Sequence, residues 1–221
     1  MKKHKNNIII FGTKQIAQLA KYYIENDSCY NVVAFTAHER FIEDSEFEGL
    51  PVIPFESLTN THPPSEYQLF APMAGVMMNQ TRKSVFKQGK EMGYTFISYI
   101  SSHATNLCKS IGENCFILED NTLQPFTEIG DNVVLWSGNH IGHHGKIDDH
   151  VFFTSHVVMS GNCHIKERAW IGVNVTLRDG ITIGEGSLIA MGSLITRNTE
   201  DDSFYMGVPA KKQTKSATEV Y

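Results

Sequence analysis

No apolar run in this chain approaches the ~20 residues a membrane-spanning helix needs, and its lysines and arginines are scattered rather than banked together. With a formal net charge of −5, that scatter argues against a nucleic acid partner and against an anionic membrane surface. The opening "MKKHKNNIIIFG" carries basic residues, but its apolar stretch runs only from Ile8 to Phe11. A secretory leader needs an apolar core of about 7–15 residues, so none is expected. Cysteine is sparse as well. Cys29, Cys108, Cys115 and Cys163 form no C-x-x-C pair and no zinc-finger spacing, which reads as buried thiols in a reducing cytosol and predicts a cytoplasmic protein. Small-molecule chemistry is what these exclusions leave.

The 221 residues divide by period. Over residues 1–100, "NNIIIFGTKQIAQLAKYYIEND" is a buried apolar run, a turn at Gly12, then Ile16, Leu19, Ala20, Tyr23 and Ile24 at helical spacing. "YNVVAFTA", "YQLFAPM" and "YTFISYI" read as further strands, and "TRKSVFKQGKEMG" as an exposed helix ending at Gly93. Strands alternating with helices predict an α/β domain with a small parallel sheet of Rossmann type. "FGTKQIA" offers a single glycine where a dinucleotide fingerprint has three, so Gly12 reads equally as a packing turn or as a ligand loop.

Beyond residue 110 the period becomes six. Every sixth residue from Ile111 to Ile195 is apolar, fifteen in succession, an outcome with a chance probability on the order of 3 in 100,000 at average composition. Four residues after each lies a second, mostly small or β-branched position, from Cys115 to Thr199. Two inward slots per six residues are the signature of a hexapeptide parallel β-helix, here expected over residues 101–221. Three hexads make a triangular coil of eighteen residues, so five coils at about 4.8 Å each give a prism roughly 24 Å tall.

That register bears on the histidines of "GNHIGHHGKIDDH". His144, His150 and His156 occupy one slot of three successive hexads, so they lie on three sides of the prism and diverge. A zinc ion needs its ligands within about 2 Å of one point, which leaves only convergence between neighbouring copies. His150, His156 and His164 read as solvated or hydrogen-bonded corners, and His103 as a junction residue. His143 differs, because Gly161 lies eighteen residues on and stacks directly above it. An imidazole beside an open backbone N–H suits acyl transfer, the first as a base and the second as an oxyanion donor.

The junction "ISSHATN", the segment "GNHIGHHG", the stretch "AWIGVNVTLRDGITIGEGSLIAMGSLITRNT" and the terminal "YMGVPAKK" together resemble the sialic acid O-acetyltransferase and bacillosamine N-acetyltransferase group. Those are sugar acyltransferases with a nucleotide-sugar-binding α/β domain ahead of a left-handed β-helix. The resemblance implies a homotrimer using acetyl-CoA, or another acyl-CoA, as co-substrate and no metal, with a nucleotide-linked amino sugar from surface glycan (lipopolysaccharide) biosynthesis as acceptor. The family's catalytic histidine falls on His143 and its thioester-carbonyl donor on Gly161. Val173, Ala190 and Met191 fall along the pantetheine arm, Lys211 and Lys212 near the nucleotide phosphates of CoA, and Gly12, Thr13 and Thr36 at the nucleotide sugar. Three positions depart from the family: its orienting carboxylate is replaced by His144, so that some other group must set the tautomer and orientation of His143, its sugar-holding asparagine by Trp136, and a further histidine by Phe152.

The resulting expectation is direct N-acylation, with His143 as general base and no covalent intermediate, since Cys163 falls in an inward slot. Three rivals stand beside it: O-acetylation of a sugar hydroxyl, a zinc-dependent hexapeptide hydratase, and a non-catalytic sugar-nucleotide-binding protein.

Overall fold

The computed structural model describes residues 6–221; the first five residues of the N-terminal unit lie outside the described residues. Strand β1 (Asn7–Phe11) is followed by helix α1 (Gln15–Asp27) and strands β2 (Asn31–Ala37), β3 (Glu46–Phe47), β4 (Leu50–Pro54) and β5 (Gln68–Phe70), then helix α2 (Gln80–Glu91). The sheet order is β3-β4-β2-β1-β5, parallel except for the β3–β4 pair. Ile8, Ile9 and Ile10 are all fully buried, because a central parallel strand is covered on both faces.

Three local expectations differ from the structure. Of the four cysteines only Cys115 and Cys163 are buried, while Cys108 is half-buried and Cys29, just past the end of α1, is exposed. Thr95–Ile97 does not form a full strand: it makes one bridge, Leu69 to Phe96, and the chain then leaves to begin the prism at Tyr99–Ile100. Helix α2 is not exposed throughout, since Arg82, Val85, Phe86 and Gly89 are buried. At Gly89 an added Cβ would lie 2.5 Å from the Phe96 ring, so only glycine permits that approach.

From Tyr99 the chain winds as a three-sided prism of two-residue parallel strands. Tyr99–Ile100 and Thr105–Asn106 pair with strands seventeen residues on, and from Ser110–Ile111 to Thr176–Leu177 each strand pairs with the one eighteen residues on. Leu188–Ile189 pairs instead with the terminal hairpin. The covered face carries Phe116–Ile117, Val134–Leu135, Phe152–Phe153, Trp170–Ile171 and Leu188–Ile189. A plain face carries Thr122–Leu123, His140–Ile141, Val158–Met159, Thr176–Leu177 and Leu194–Ile195. A charged face carries Ser110–Ile111, Glu128–Ile129, Lys146–Ile147, His164–Ile165 and Thr182–Ile183. The six-residue series from Ile117 to Ile195 and its small companions, among them Val133, Val151, Cys163 and Val175, form one continuous core.

The N-terminal domain sits on the covered face, where Phe116, Leu118, Val134 and Phe152 join a cluster with Ile8, Ile10, Ile24 and Phe35. Arg82 pins this contact. Fully buried, it donates to Asn79 Oδ1 (3.1 Å), Asn132 Oδ1 (3.2 Å) and the carbonyls of Asn132 and His150, with its guanidinium over the Phe152 ring. Burial lowers its pKa to about 9, still charged at neutral pH. Asp27, at the end of α1, accepts from Tyr99 Oη (2.7 Å) and Ser102 N (2.8 Å), tying the helix to the first coil. Strands Ser203–Gly207 and Ala210–Ser216 extend the covered face upward, and Tyr221 returns to lie 5.0 Å from the Trp170 ring.

Candidate active site

Each prism edge is a tight turn, and each turn places one residue in the left-handed region. These are residues 114, 120, 126, 132, 138, 144, 150, 156, 162, 168, 174, 180, 186 and 192, with φ between 53° and 78°. Asparagine, glycine, aspartate and histidine tolerate that conformation best, which is why this slot collects them. The clustered histidines have their explanation here. His144, His150 and His156 are consecutive left-handed turn residues, one on each edge. Among the described residues no group of three or more His, Cys, Asp or Glu is arranged to hold a metal.

His150 and His164 are engaged structurally. His150 is buried on the edge beneath α2, bonded to Asn132 Nδ2 (2.9 Å); burial, then the adjacent Arg82 charge, push its pKa down to about 4. His164 pairs with Asp148 at 2.8 Å.

His143 stands exposed on the edge between the plain and charged faces, the one edge that does not border the N-terminal domain. Its backbone N–H is held by Gln124 Oε1 (3.0 Å), and its imidazole lies flush against Gly161. A Cβ built on Gly161 would sit 2.6 Å from His143 Cε1 and 2.8 Å from Nε2, so any side chain there would displace the ring. The Gly161 N–H makes no hydrogen bond to another described residue, while its carbonyl accepts from Gly180. Beside it, His143 Nδ1 lies 3.1 Å from His144 Nδ1, with the rings nearly perpendicular at 85°. Phe126, eighteen residues before His144, packs its ring 4.6 Å from that imidazole. Nothing in the sequence singled out Phe126; only the eighteen-residue register connects them.

Val173, Ala190 and Met191 gather on a different edge, between the covered and plain faces. Met191 is 74 % exposed and Val173 36 %, so they form an apolar ridge open to solvent. Gly172 lets the strands there approach closely, with a Cβ at that position 2.5 Å from Met191 N. Trp136 occupies this same edge, its carbonyl accepting from Asn121 and Asn139. Within one chain, therefore, His143, His144 and Gly161 are not brought together with Trp136, Val173, Ala190 and Met191; the plain face separates them. Lys211 and Lys212 project from the terminal hairpin, where Lys212 pairs with Glu200 at 2.6 Å.

In the N-terminal domain, Gly12 and Thr13 line a cavity of about 790 Å³ with Lys14, Phe47, Met73 and Val76, none of the last four signalled by the sequence. Gly12 adopts φ +116°, and the first turn of α1 that follows has no side-chain cap and no acidic residue. Uncapped N–H groups at a helix start favour an anion. A second cavity of about 340 Å³ adjoins it across the same turn, toward His38 and Arg40. Thr36 lines neither, for it is fully buried with its hydroxyl donating to Ile53 O at 2.7 Å.

This combination defines a hexapeptide-repeat β-helix protein carrying a small α/β domain at its N-terminal end. Residues 109–143 and 162–197 match the family described as bacterial transferase hexapeptide (six repeats). No curated protein matches. Among solved structures, a point mutant of perosamine N-acetyltransferase from Caulobacter crescentus, in complex with CoA and GDP-perosamine, superimposes with a TM-score of 0.84 at 20% identity, covering 96% of this chain and 98% of that one. The acetyltransferase domain of PglB from Neisseria gonorrhoeae gives 0.82 at 21% identity, over 95% and 100% of the two chains. WeeI from Acinetobacter baumannii gives 0.79 at 19% identity, over 93% and 99%. The fold is thus that of a left-handed β-helix behind a Rossmann-like domain, shared along nearly the whole chain.

Proposed function

We propose that the protein is an acyl-CoA-dependent N-acyltransferase whose acceptor is the amino group of a nucleotide-linked deoxysugar. The observation that carries this reading is the contact of the His143 imidazole with Gly161. It pairs a base with a backbone donor at one exposed point, as acyl transfer from a thioester requires. The bound CoA and GDP-perosamine in the Caulobacter structure support the substrate classes.

In the proposed reaction the neutral sugar amine attacks the thioester carbonyl carbon. A C–N bond forms, and the carbonyl oxygen becomes an oxyanion held by the Gly161 N–H. His143 Nε2 takes the proton from the nitrogen. Collapse breaks the C–S bond, and the imidazolium returns its proton to the departing CoA thiolate. Cys163 is buried in the prism, with its thiol pKa raised by burial, and takes no part as a nucleophile.

The remaining residues complete the site when a second copy supplies its other edge. The outward residues Thr122, His140, Val158, Thr176 and Leu194 make the plain face free of Lys, Arg, Asp and Glu, unlike the charged face with its Lys109–Glu128 and Lys146–Asp148 pairs. Three prisms packed through that face would bring His143, His144 and Gly161 of one copy opposite Trp136, Val173, Ala190 and Met191 of the next. Acyl-CoA then lies between copies, with Lys211 and Lys212 near its phosphates. The nucleotide sugar takes the 790 Å³ cavity, its diphosphate at the α1 N-terminus beside Lys14. Because the cavity's domain covers the face opposite the His143 edge, the sugar reaches the imidazole of a neighbouring copy.

Incubation with acetyl-CoA and a panel of dTDP-, UDP- and GDP-linked amino sugars, followed by mass detection and thiol release, tests the proposal. An acetamido product is expected, and an O-acetyl product or no thiol release would contradict it. His143→Ala should lower kcat by about 10²- to 10⁴-fold with oligomer size unchanged; a loss under about fivefold would remove His143 from the role.

A further inference from the structure

We infer that His144 is the positioning residue that fixes the tautomer of His143, a neutral imidazole doing the work of an orienting carboxylate. The inference rests on the acyltransferase reading for its consequence, but its geometry stands on the 3.1 Å contact between the two Nδ1 atoms.

Two imidazoles joined through their Nδ1 atoms share one hydrogen, since a hydrogen bond needs one donor and one acceptor. When His143 carries it, His143 Nε2 is a bare lone pair and can take a proton. When His144 carries it, His143 must bear its hydrogen on Nε2 and cannot act as a base. The competent arrangement is therefore His143 Nδ1–H donating to His144 Nδ1. His144 is held for this purpose from two sides. Its backbone is fixed in the left-handed turn (φ 53°), and Phe126 packs against its ring.

A neutral partner behaves differently from an anionic one. A single proton added anywhere on the pair leaves both Nε2 atoms protonated: either His143 becomes the imidazolium, or His144 does and donates to His143 Nδ1. A proton on either ring therefore silences the base. Few charges border it. On the coil below, Gln124, Pro125 and Phe126 are uncharged, as are Ser160, Gly161 and Asn162 above. Asp179, approached by Asn162 Nδ2 at 3.5 Å, and Arg178 lie a further coil up; Lys146, on the following strand, is paired with Asp148.

The turn slot supplies well-matched substitutions, because other coils already place glycine (Gly138, Gly180, Gly192) or asparagine (Asn132, Asn162, Asn174) there with the same backbone. His144→Gly should leave the fold and the KM for acyl-CoA intact while lowering kcat by about 10- to 100-fold, as loss of an imidazole's orienting partner does. His144→Asn, whose Oδ1 can accept from Nδ1–H, should recover much of that loss. His144→Asp should move the acid limb of kcat/KM to higher pH by about one unit, since an adjacent anion favours the imidazolium. Nitrogen-15 spectra of the whole protein, taken above the imidazole titration, should show His143 protonated at Nδ1 and bare at Nε2. Hydrogen on His143 Nε2, or wild-type kcat and an unmoved acid limb in His144→Gly, would overturn the inference. If no amino-sugar nucleotide is acylated, the functional reading fails, and the nitrogen spectra still decide the tautomer.

Discussion

At Gly161 a single missing methyl group sets the geometry of the proposed base. Gly161→Ala would drive a Cβ to within 2.6 Å of the His143 ring, and the ring is the part free to move. A displacement of about 1 Å in a reacting group can cost ~100-fold, so kcat should fall by about that factor while the protein stays folded. Unchanged kcat in steady-state assays would show that the two do not act together. The sequence disclosed this pairing, because residues eighteen apart must stack in a prism of that repeat. It could not disclose that His144 turns its Nδ1 toward His143, or that the Thr36 hydroxyl is committed to Ile53. Those are matters of side-chain rotamer and of which neighbour offers a carbonyl, and neither has a period.

Among the elements, the prism was legible and the α/β domain only partly so, for one physical reason. Fourteen successive turns reuse one left-handed slot and one inward slot, so every coil repeats the pattern of the last. Strand β4 has no such support. Pro51 and Pro54 lie within it, and proline normally argues against an interior strand, yet Val52, Ile53 and Pro54 pair with β2 while Pro51 lies opposite Glu46 of the two-residue β3. Likewise "YTFISYI" alternates like a strand, but its second half is claimed by the prism. The contact of α2 with the prism was invisible because it depends on Arg82, a residue usually exposed. Arg82→Leu would strand the carbonyls of Asn132 and His150 without a donor. At roughly 1–3 kcal/mol per unsatisfied group this should destabilise the protein by about 3 kcal/mol, visible as a clear fall in thermal midpoint; an unchanged midpoint would deny the contact its role. The same edge predicts a pH dependence. His150 is depressed to about 4 when folded, so the unfolded chain binds the extra proton first. Its contribution is complete above the ordinary histidine value of ~6.5 and is lost as pH falls from there toward 4. His150→Asn, which suits the left-handed slot, should flatten the stability profile across that window in denaturant titrations.

For the molecule as a whole, the decisive feature is that the two sets of proposed site residues occupy opposite edges of one uncharged face. No rearrangement of a single prism joins them, since each edge is fixed by the strand ladder of its own coils. The proposed cyclic assembly through the plain face would, and it predicts a mass near three times 24.8 kDa in solution. The most direct measurement is complementation between two disabled copies. His143→Ala removes the base from one edge, and Val173→Trp blocks the ridge on the other. Carried on separately tagged chains, co-expressed and purified through both tags, the pair should regain about one third of wild-type activity, one intact site per mixed trimer, although each variant alone is inactive. Mixed trimers without activity would contradict the account, because they would mean that base and ridge must come from the same chain.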